Sequence, residues 1–384
     1  MKDLQSILKE IQQLEAAGEP YVLATIVQIS GSAYRGPGTR MLITQDGRTV
    51  GTISGGCLER DVLENAAQVF ENGVPLILTY DSTSEDDILW GTGLGCSGIV
   101  QVLLEKLPQS EGPNYPRFLA DCVRHQKSGV LATIFEVAGA APPHPVQRLL
   151  LHQDLCVEDD IADKTLQRQI LQSARRELED LQGTNTTVAR SKTRHYETHQ
   201  GRAAVLLEPL LPPVPLVIFG AGHDACPVVR LASELGWQVT VVDHRPAFAR
   251  PERLPEADAV LLARPPEAFE TLQFNGRSTA LLMTHNYMQD LEVLQHLLTR
   301  RFHYLGLLGP LKRTQRLLDD LKKQGIEPTE DQLPRLFSPV GLDLGAETAE
   351  EIALSIVGEI QAALTGRPGG QLRRHKGPIH DRPS

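Results

Sequence analysis

A cysteine stands where a short β segment runs through two glycines into a helix, in Gly51-Thr52-Ile53-Ser54-Gly55-Gly56-Cys57-Leu58-Glu59-Arg60-Asp61. Leu58, Val62, Ala66, Val69 and Phe70 recur at helical spacing, which places Cys57 at or near a helix N-terminus. Unpaired backbone N–H groups and the positive end of the helix dipole favour a thiolate at such a position, and paired glycines let the backbone close on an anion. The turn could offer a phosphate site and a soft sulfur together. The plain alternative is a glycine turn followed by a small buried cysteine.

Two other stretches have the composition of sites. Trp90-Gly91-Thr92-Gly93-Leu94-Gly95-Cys96-Ser97-Gly98 is dense in glycine and suits close approach to a large ligand, although a glycine hairpin around a buried cysteine would read the same way. The acidic run before it, Asp81 to Asp87, reads as a solvated loop. Further on, an apolar strand Leu216-Val217-Ile218-Phe219 enters Gly220-Ala221-Gly222-His223-Asp224-Ala225, then a helix over Val228 to Leu235, then a second strand Gln238 to Asp243. Strand, glycine turn, helix, strand and terminal acid in that order form a dinucleotide fingerprint, with Asp243 placed for a ribose hydroxyl. The glycines would also serve tight packing in an empty fold. His223, beside the turn, fits a phosphate contact or a helix cap better than a metal ligand. His285, in Thr284-His285-Asn286, should also face the crevice at the carboxyl edge of the sheet, unless it is a solvated loop histidine.

The elements that hold these residues show a duplication. Tyr21-Val22-Leu23-Ala24-Thr25-Ile26 is echoed by Gly129-Val130-Leu131-Ala132-Thr133-Ile134, and Arg40-Met41-Leu42-Ile43 by Arg148-Leu149-Leu150-Leu151, at one offset of 108 residues. Each copy opens with a helix (Leu4 to Ala17; Arg117 to Gln126) and closes on a strand ending in glutamate, at Glu105 and Glu208. Where the first copy has the Gly-Gly-Cys turn, the second reads Val157-Glu158-Asp159-Asp160-Ile161-Ala162-Asp163-Lys164, without glycine or cysteine, as a structural twin. The copies should pair strands into one sheet or two packed halves. The expected organisation is a duplicated α/β domain over residues 1–210 (copies 1–108 and 111–210) and a proline-rich linker from Glu208 to Pro215. A Rossmann-like doubly wound parallel sheet over 214–345 and a C-terminal helix and extended tail over 346–384 follow. Thr348-Ala349-Glu350-Glu351 has the capping-box pattern that opens that helix.

With 384 residues and a formal net charge of -10, the chain has the composition of a soluble protein of two or three domains. The acidic balance argues against nucleic acid or an anionic membrane as partner, and no apolar run has membrane-spanning character. The N-terminus lacks a signal peptide's apolar core, so a cytoplasmic location is expected. Five widely spaced cysteines without a Cys-x-x-Cys pair read as reduced thiols.

Taken together, six motifs in order resemble the XdhC/CoxI family of xanthine dehydrogenase accessory factors across nearly the whole chain. They are Ile53-Ser54-Gly55-Gly56-Cys57-Leu58-Glu59, Gly93-Leu94-Gly95-Cys96-Ser97-Gly98, Phe219-Gly220-Ala221-Gly222-His223, Val242-Asp243-His244-Arg245-Pro246, Tyr304-Leu305-Gly306-Leu307-Leu308-Gly309 and Pro339-Val340-Gly341-Leu342-Asp343-Leu344-Gly345-Ala346-Glu347-Thr348. Ser97, His244 and Pro310 depart from the family pattern. The resemblance implies a factor that binds the molybdenum cofactor, keeps it sulfurated with help from a cysteine desulfurase, and passes it to an apo molybdenum hydroxylase. It places the family's cofactor-binding cysteine, and the metal contact, on Cys57. The candidate cofactor contacts are then Ser54, Gly55, Gly56, Cys57 and Glu59, with Gly95 and Cys96 from the second glycine stretch. Gly220, Gly222, His223, Asp243 and His285 are the candidates around a nucleotide or NAD(P) in the Rossmann-like domain. A homodimer is expected, and catalysis is not required. Two rivals remain from the residues themselves: an NAD(P)-dependent oxidoreductase built on Gly220, Gly222 and Asp243, and an interaction scaffold whose glycine turns are purely structural.

Overall fold

The computed structural model describes residues 1–31, 33–81, 98–109, 112–138, 146–183, 187–199, 201–374 and 376. Two compact units emerge: one of residues 3–184 and 189–212, the other of residues 213–384 together with 1–2 and 185–188.

In the first unit, copy one runs α1 (Lys2–Ala17), β1 (Tyr21–Gly31), β2 (Arg40–Thr44), β3 (Thr49–Gly51), α2 (Glu59–Asn72), β4 (Leu76–Asp81) and β5 (Gly98–Leu107). Copy two runs α3 (Tyr115–Arg124), β6 (Gly129–Val137), β7 (Arg148–His152), β8 (Val157–Asp159), α4 (Lys164–Gly183), β9 (Lys192–Thr198) and β10 (Gly201–Leu210). The sheets are separate, antiparallel and identically ordered, β3-β2-β1-β5-β4 and β8-β7-β6-β10-β9. Even the irregularities repeat. A bulge leaves Val27 unpaired between Ile26 and Gln28, and its counterpart leaves Phe135 unpaired between Ile134 and Glu136. An extra residue at a bulge re-aims side chains, and Val27 and Phe135 both enter one apolar cluster with Leu103, Val146, Ala204 and Leu206.

Both faces of each central strand are buried, which is why these strands read as continuous apolar runs. Val22, Ala24 and Ile26 pack under Val62, Ala66 and Val69 of α2, and Val130, Ala132 and Ile134 under Ile170, Ala174 and Leu178 of α4. On the other face, Leu23, Leu42, Leu131 and Leu150 share a core with Ile7 and Ile11 of α1 and Phe118 and Leu119 of α3. The echoed arginines and closing glutamates exchange partners across this interior. Arg40 donates to Glu208 Oε1 at 2.6 Å, and Arg148 donates to Glu105 Oε1 at 2.5 Å and Oε2 at 2.6 Å. All four side chains are buried. Tyr115 adds a hydroxyl to Glu105 at 2.8 Å and its ring beneath the Arg148 guanidinium at 4.1 Å.

The second unit runs β11 (Pro215–Phe219), α5 (Ala225–Glu234), β12 (Gln238–Asp243), β13 (Ala259–Leu262), α6 (Pro265–Thr271), β14 (Thr279–Leu282), α7 (Tyr287–Leu297), β15 (Tyr304–Leu307), α8 (Leu311–Lys323), β16 (Leu336–Phe337) and α9 (Ala349–Thr365). Its six strands are parallel in the order β13-β12-β11-β14-β15-β16, which reverses direction between β11 and β14 as in doubly wound nucleotide folds. One face carries α5 and α9, the other α6, α7 and α8. The C-terminal helix, assigned from the sequence to a separate segment 346–384, is thus part of this core: Ala353, Ile356 and Ile360 meet Val228 and Ala232. Its Thr348–Glu351 capping box forms, and Gly366 ends it in a left-handed turn. The linker is shorter than its prolines imply, because Glu208 and Pro209 still pair within β10. No helix among the described residues is long and apolar enough to cross a membrane.

Truncating Arg148 to alanine strands a buried carboxylate, so the loss should be about 3–5 kcal/mol of stability. The double variant Arg148→Met/Glu105→Leu should lose less than Arg148→Ala alone. Denaturant midpoints of the three proteins check this; equal losses would show that the ion pair is not what the site requires.

Candidate functional site

The Cys57 turn is built around a carboxylate of its own. Glu59, first residue of α2, folds back so that Oε1 accepts from the N–H groups of Ile53 (3.1 Å), Ser54 (2.8 Å) and Gly55 (3.2 Å) and from the Thr52 hydroxyl (2.5 Å). Oε2 accepts from the N–H groups of Gly56 (2.9 Å) and Leu58 (3.2 Å) and from the Ser54 hydroxyl. Ser54 Oγ in turn accepts from the N–H groups of Cys57 (3.0 Å) and Leu58 (2.9 Å). Wrapping backbone donors around one acceptor demands left-handed geometry, supplied by Gly55 at φ +97° and Gly56 at φ +120°. Burial alone would raise the Glu59 carboxyl; hydrogen bonds from the Ser54 and Thr52 hydroxyls and the Ser54 N–H outweigh it and hold the group well below the usual carboxylate range.

The N–H groups expected to receive a phosphate at Gly55 and Gly56 are therefore engaged by Glu59 in this structure. Cys57 itself is exposed, as is the Tyr34 ring beside Gly55, where an added Cβ would come 3.4 Å from Cε1. The result is a thiol presented to solvent on a turn fixed from within. In copy two, Asp163 stands at the position of Gly55 by the 108-residue offset and caps α4 directly, accepting from Thr165 and Leu166 N–H at 2.8 and 3.1 Å. Both copies thus put a carboxylate on the helix N-terminus, but only copy one loops out to carry a cysteine. Gly95 and Cys96 lie outside the described residues, as does nearly all of the acidic run before them.

The second unit brings together the other candidates at the carboxyl edge of its sheet. Gly220, at φ +111°, lets β11 pass close to the end of β14: a Cβ would lie 2.4 Å from the Met283 carbonyl oxygen. Asp243 is buried, and each of its oxygens accepts twice. Oδ1 takes the Arg245 N–H and Nε at 2.9 Å each, and Oδ2 takes the Ala221 N–H at 2.8 Å and Arg245 Nη2 at 2.7 Å. Burial pushes its carboxyl up, and the Arg245 and Ala221 hydrogen bonds bring it below the usual value. His223 is exposed, its ring edge-on to Phe248 at 6.2 Å. His285 has an uncommon left-handed backbone, φ +56°, and its Nε2 lies 2.7 Å from Asp224 Oδ2. A crevice between these elements is lined by Phe219, Gly220, Asp243, His244, Thr284 and Gln289. Sequence reasoning gave no role to Asp224 or Arg245. Their only signals were an acid inside the glycine turn and a base two positions after the strand-ending acid. Among the described residues no group of three or more His, Cys, Asp or Glu side chains could hold a metal ion.

The chain thus joins a duplicated antiparallel α/β unit that exposes a thiol to a parallel Rossmann-like unit, a two-part architecture. Family models match both parts: the XdhC and CoxI family over residues 14–81, which includes the Cys57 turn, and the XdhC Rossmann domain over residues 216–360. The chain is 33% identical over 346 residues to a probable xanthine dehydrogenase subunit from Bacillus subtilis (strain 168), covering 89% of this chain and 92% of that one. It belongs to the XdhC/CoxI family. A further relative is the molybdenum cofactor insertion chaperone PaoD of Escherichia coli (strain K12), 23% identical with 93% and 88% of the two chains covered. Among solved structures, a xanthine dehydrogenase from Bacillus halodurans superposes with a TM-score of 0.74 at 30% identity, covering 94% of this chain and 96% of that one.

Because the Glu59 carboxyl sits lower folded than unfolded, its stabilisation is full above the ordinary carboxylate range and fades progressively as pH falls below about 5, through and beyond that range. Glu59→Gln should flatten that part of the decline in melting temperature, and Glu59→Ala should cost about 1–3 kcal/mol at neutral pH. An acid limb of the melting curve unchanged in Glu59→Gln would remove Glu59 as the turn's acceptor.

Proposed function

We propose that this chain is a maturation factor that holds the molybdenum cofactor through Cys57 and delivers it to an apo molybdenum hydroxylase of the xanthine dehydrogenase type. The observation that carries the proposal is the exposed Cys57 thiol on a turn immobilised by Glu59, within the segment matched by the family model. A thiolate is a soft ligand suited to a thiophilic metal, and a single such ligand permits release, as a carrier requires. When bound, the cofactor supplies the molybdenum centre on which the client's chemistry takes place.

The chain's own residues have distinct parts in this scheme. Cys57 offers the sulfur. Glu59 and Ser54 fix the backbone so that the thiol points outward without ordering cost on binding. Gly55 and Gly56 shape the loop through their left-handed backbones. Sulfuration with a cysteine desulfurase, a homodimer and a cytoplasmic location complete the proposal; reduced, widely spaced cysteines support the last. The relatives support the direction of this reading, since one is named as an insertion chaperone and another as part of a xanthine dehydrogenase.

Protein incubated with molybdenum cofactor and desalted should retain molybdenum and pterin near stoichiometrically. Cys57→Ala and Cys57→Ser should each retain at least about tenfold less, the equivalent of about 1.4 kcal/mol or more of lost binding. Equal retention by wild type and both variants would end the case for Cys57 as the contact; no retention by any of them would end the case for the cofactor.

A further inference from the structure

A Rossmann fold with a glycine turn implies a dinucleotide, and the residues of this turn can be tested against one. A bound dinucleotide needs three things here: a free carboxylate oxygen at the end of β12 for a ribose hydroxyl, open space above the second glycine for the pyrophosphate, and no fixed negative charge beside it. None of the three is met.

Both Asp243 oxygens are filled by Arg245 and the Ala221 N–H, two hydrogen bonds on each, which uses the acceptor directions of a carboxylate. Arg245 is fixed in turn, its guanidinium 4.0 Å over the Phe248 ring. At the second glycine the missing side chain has been replaced by a carboxylate: a Cβ on Gly222 would lie 2.5 Å from Asp224 Oδ1. Asp224 precedes the first residue of α5, where the pyrophosphate would meet the helix N-terminus. It is held there by His285 Nε2 at 2.7 Å, from a loop whose left-handed backbone turns the imidazole onto it. Gly220, finally, is needed because the Met283 carbonyl occupies the space beside it.

We infer that this glycine turn is closed to dinucleotides, and that Asp224, pinned by His285, is the residue that bars them. The fold keeps the spacing of the fingerprint for packing and fills the pyrophosphate position from within, with negative charge where a ligand's negative charge would go. The inference concerns the Rossmann unit alone and does not rest on Cys57 as a cofactor contact. It removes the main motive for reading the chain as an NAD(P)-dependent oxidoreductase.

The test is a calorimetric titration of the full chain with NADH and, separately, NADPH at neutral pH. Asp224→Ala removes both bulk and charge, whereas Asp224→Asn removes only charge and keeps a hydrogen-bonding partner for His285. The second carries the test if the first lowers the melting temperature. Wild type should show no saturation up to roughly 1 mM, a dissociation constant above that of ordinary cofactor sites. Asp224→Asn should bind at least one of the two nucleotides at least about tenfold more tightly than wild type, and Asp224→Ala more tightly still. Saturation of wild type below roughly 100 μM, or variants that bind no better than wild type, would overturn the inference.

Discussion

A guanidinium cannot leave water without a carboxylate to meet it, and in the duplicated unit each copy's buried arginine finds that carboxylate in the other copy. Arg40 and Arg148 sit at the same register, opposite Thr25 and Thr133, and reach Glu208 and Glu105 across a common apolar interior. Their charges fix how the two sheets face one another. The helices α1 and α3, the bulged residues Val27 and Phe135, and the apolar faces of β1 and β6 then pack in one arrangement. The Cys57 turn inherits its position from that frame, because it hangs between β3 of one sheet and the helix covering the same sheet.

The turns obey a related constraint. Converging backbone N–H groups must have an acceptor, and at the Cys57 turn and the Gly220 turn this chain provides one from its own sequence. Glu59 accepts from the loop before α2, and Asp243 accepts from Ala221 N–H in the loop before α5, where Asp224 stands over Gly222. Glycine turns followed by helices attract anions in general, and the consequence here depends on which side chain is already in place. In the first unit the self-filled turn presents a cysteine outward. In the second it presents nothing that a dinucleotide could use.

Apolar patterning carried most of the architecture in the sequence. The duplication, the parallel strands β11 to β15 and the last helix with its cap were legible because burial on both faces leaves long runs of Val, Leu and Ile. Strand β16 was missed because two residues carry no pattern. Proline interrupts a sheet, so Pro209 reads as linker in the sequence, yet the pairing of β10 with β9 ends at Leu207, beyond which a missing donor is tolerated. The site was legible in residue type and not in role. An acid in the first turn of a helix reads as a partner for the dipole. Nothing in its spacing shows that Glu59 reaches back to Ile53 and Ser54, or that Asp224 folds over Gly222. Such contacts arise from three-dimensional closure, so sequence placed the phosphate where the chain had put its own carboxylates.

The exchanged ion pairs also bear on where this unit came from. Residue i of one half meeting residue j of the other, while j of the first meets i of the second, is the signature of an isologous contact, the pattern of a two-fold symmetric dimer. Here it is written within one polypeptide. A fusion of that kind ties the halves together for good, since each buried arginine takes its carboxylate from the opposite half. Asp163 caps α4 where the sister half makes its excursion to Cys57, so the two halves share a carboxylate at the helix start and differ in the loop that leads to it.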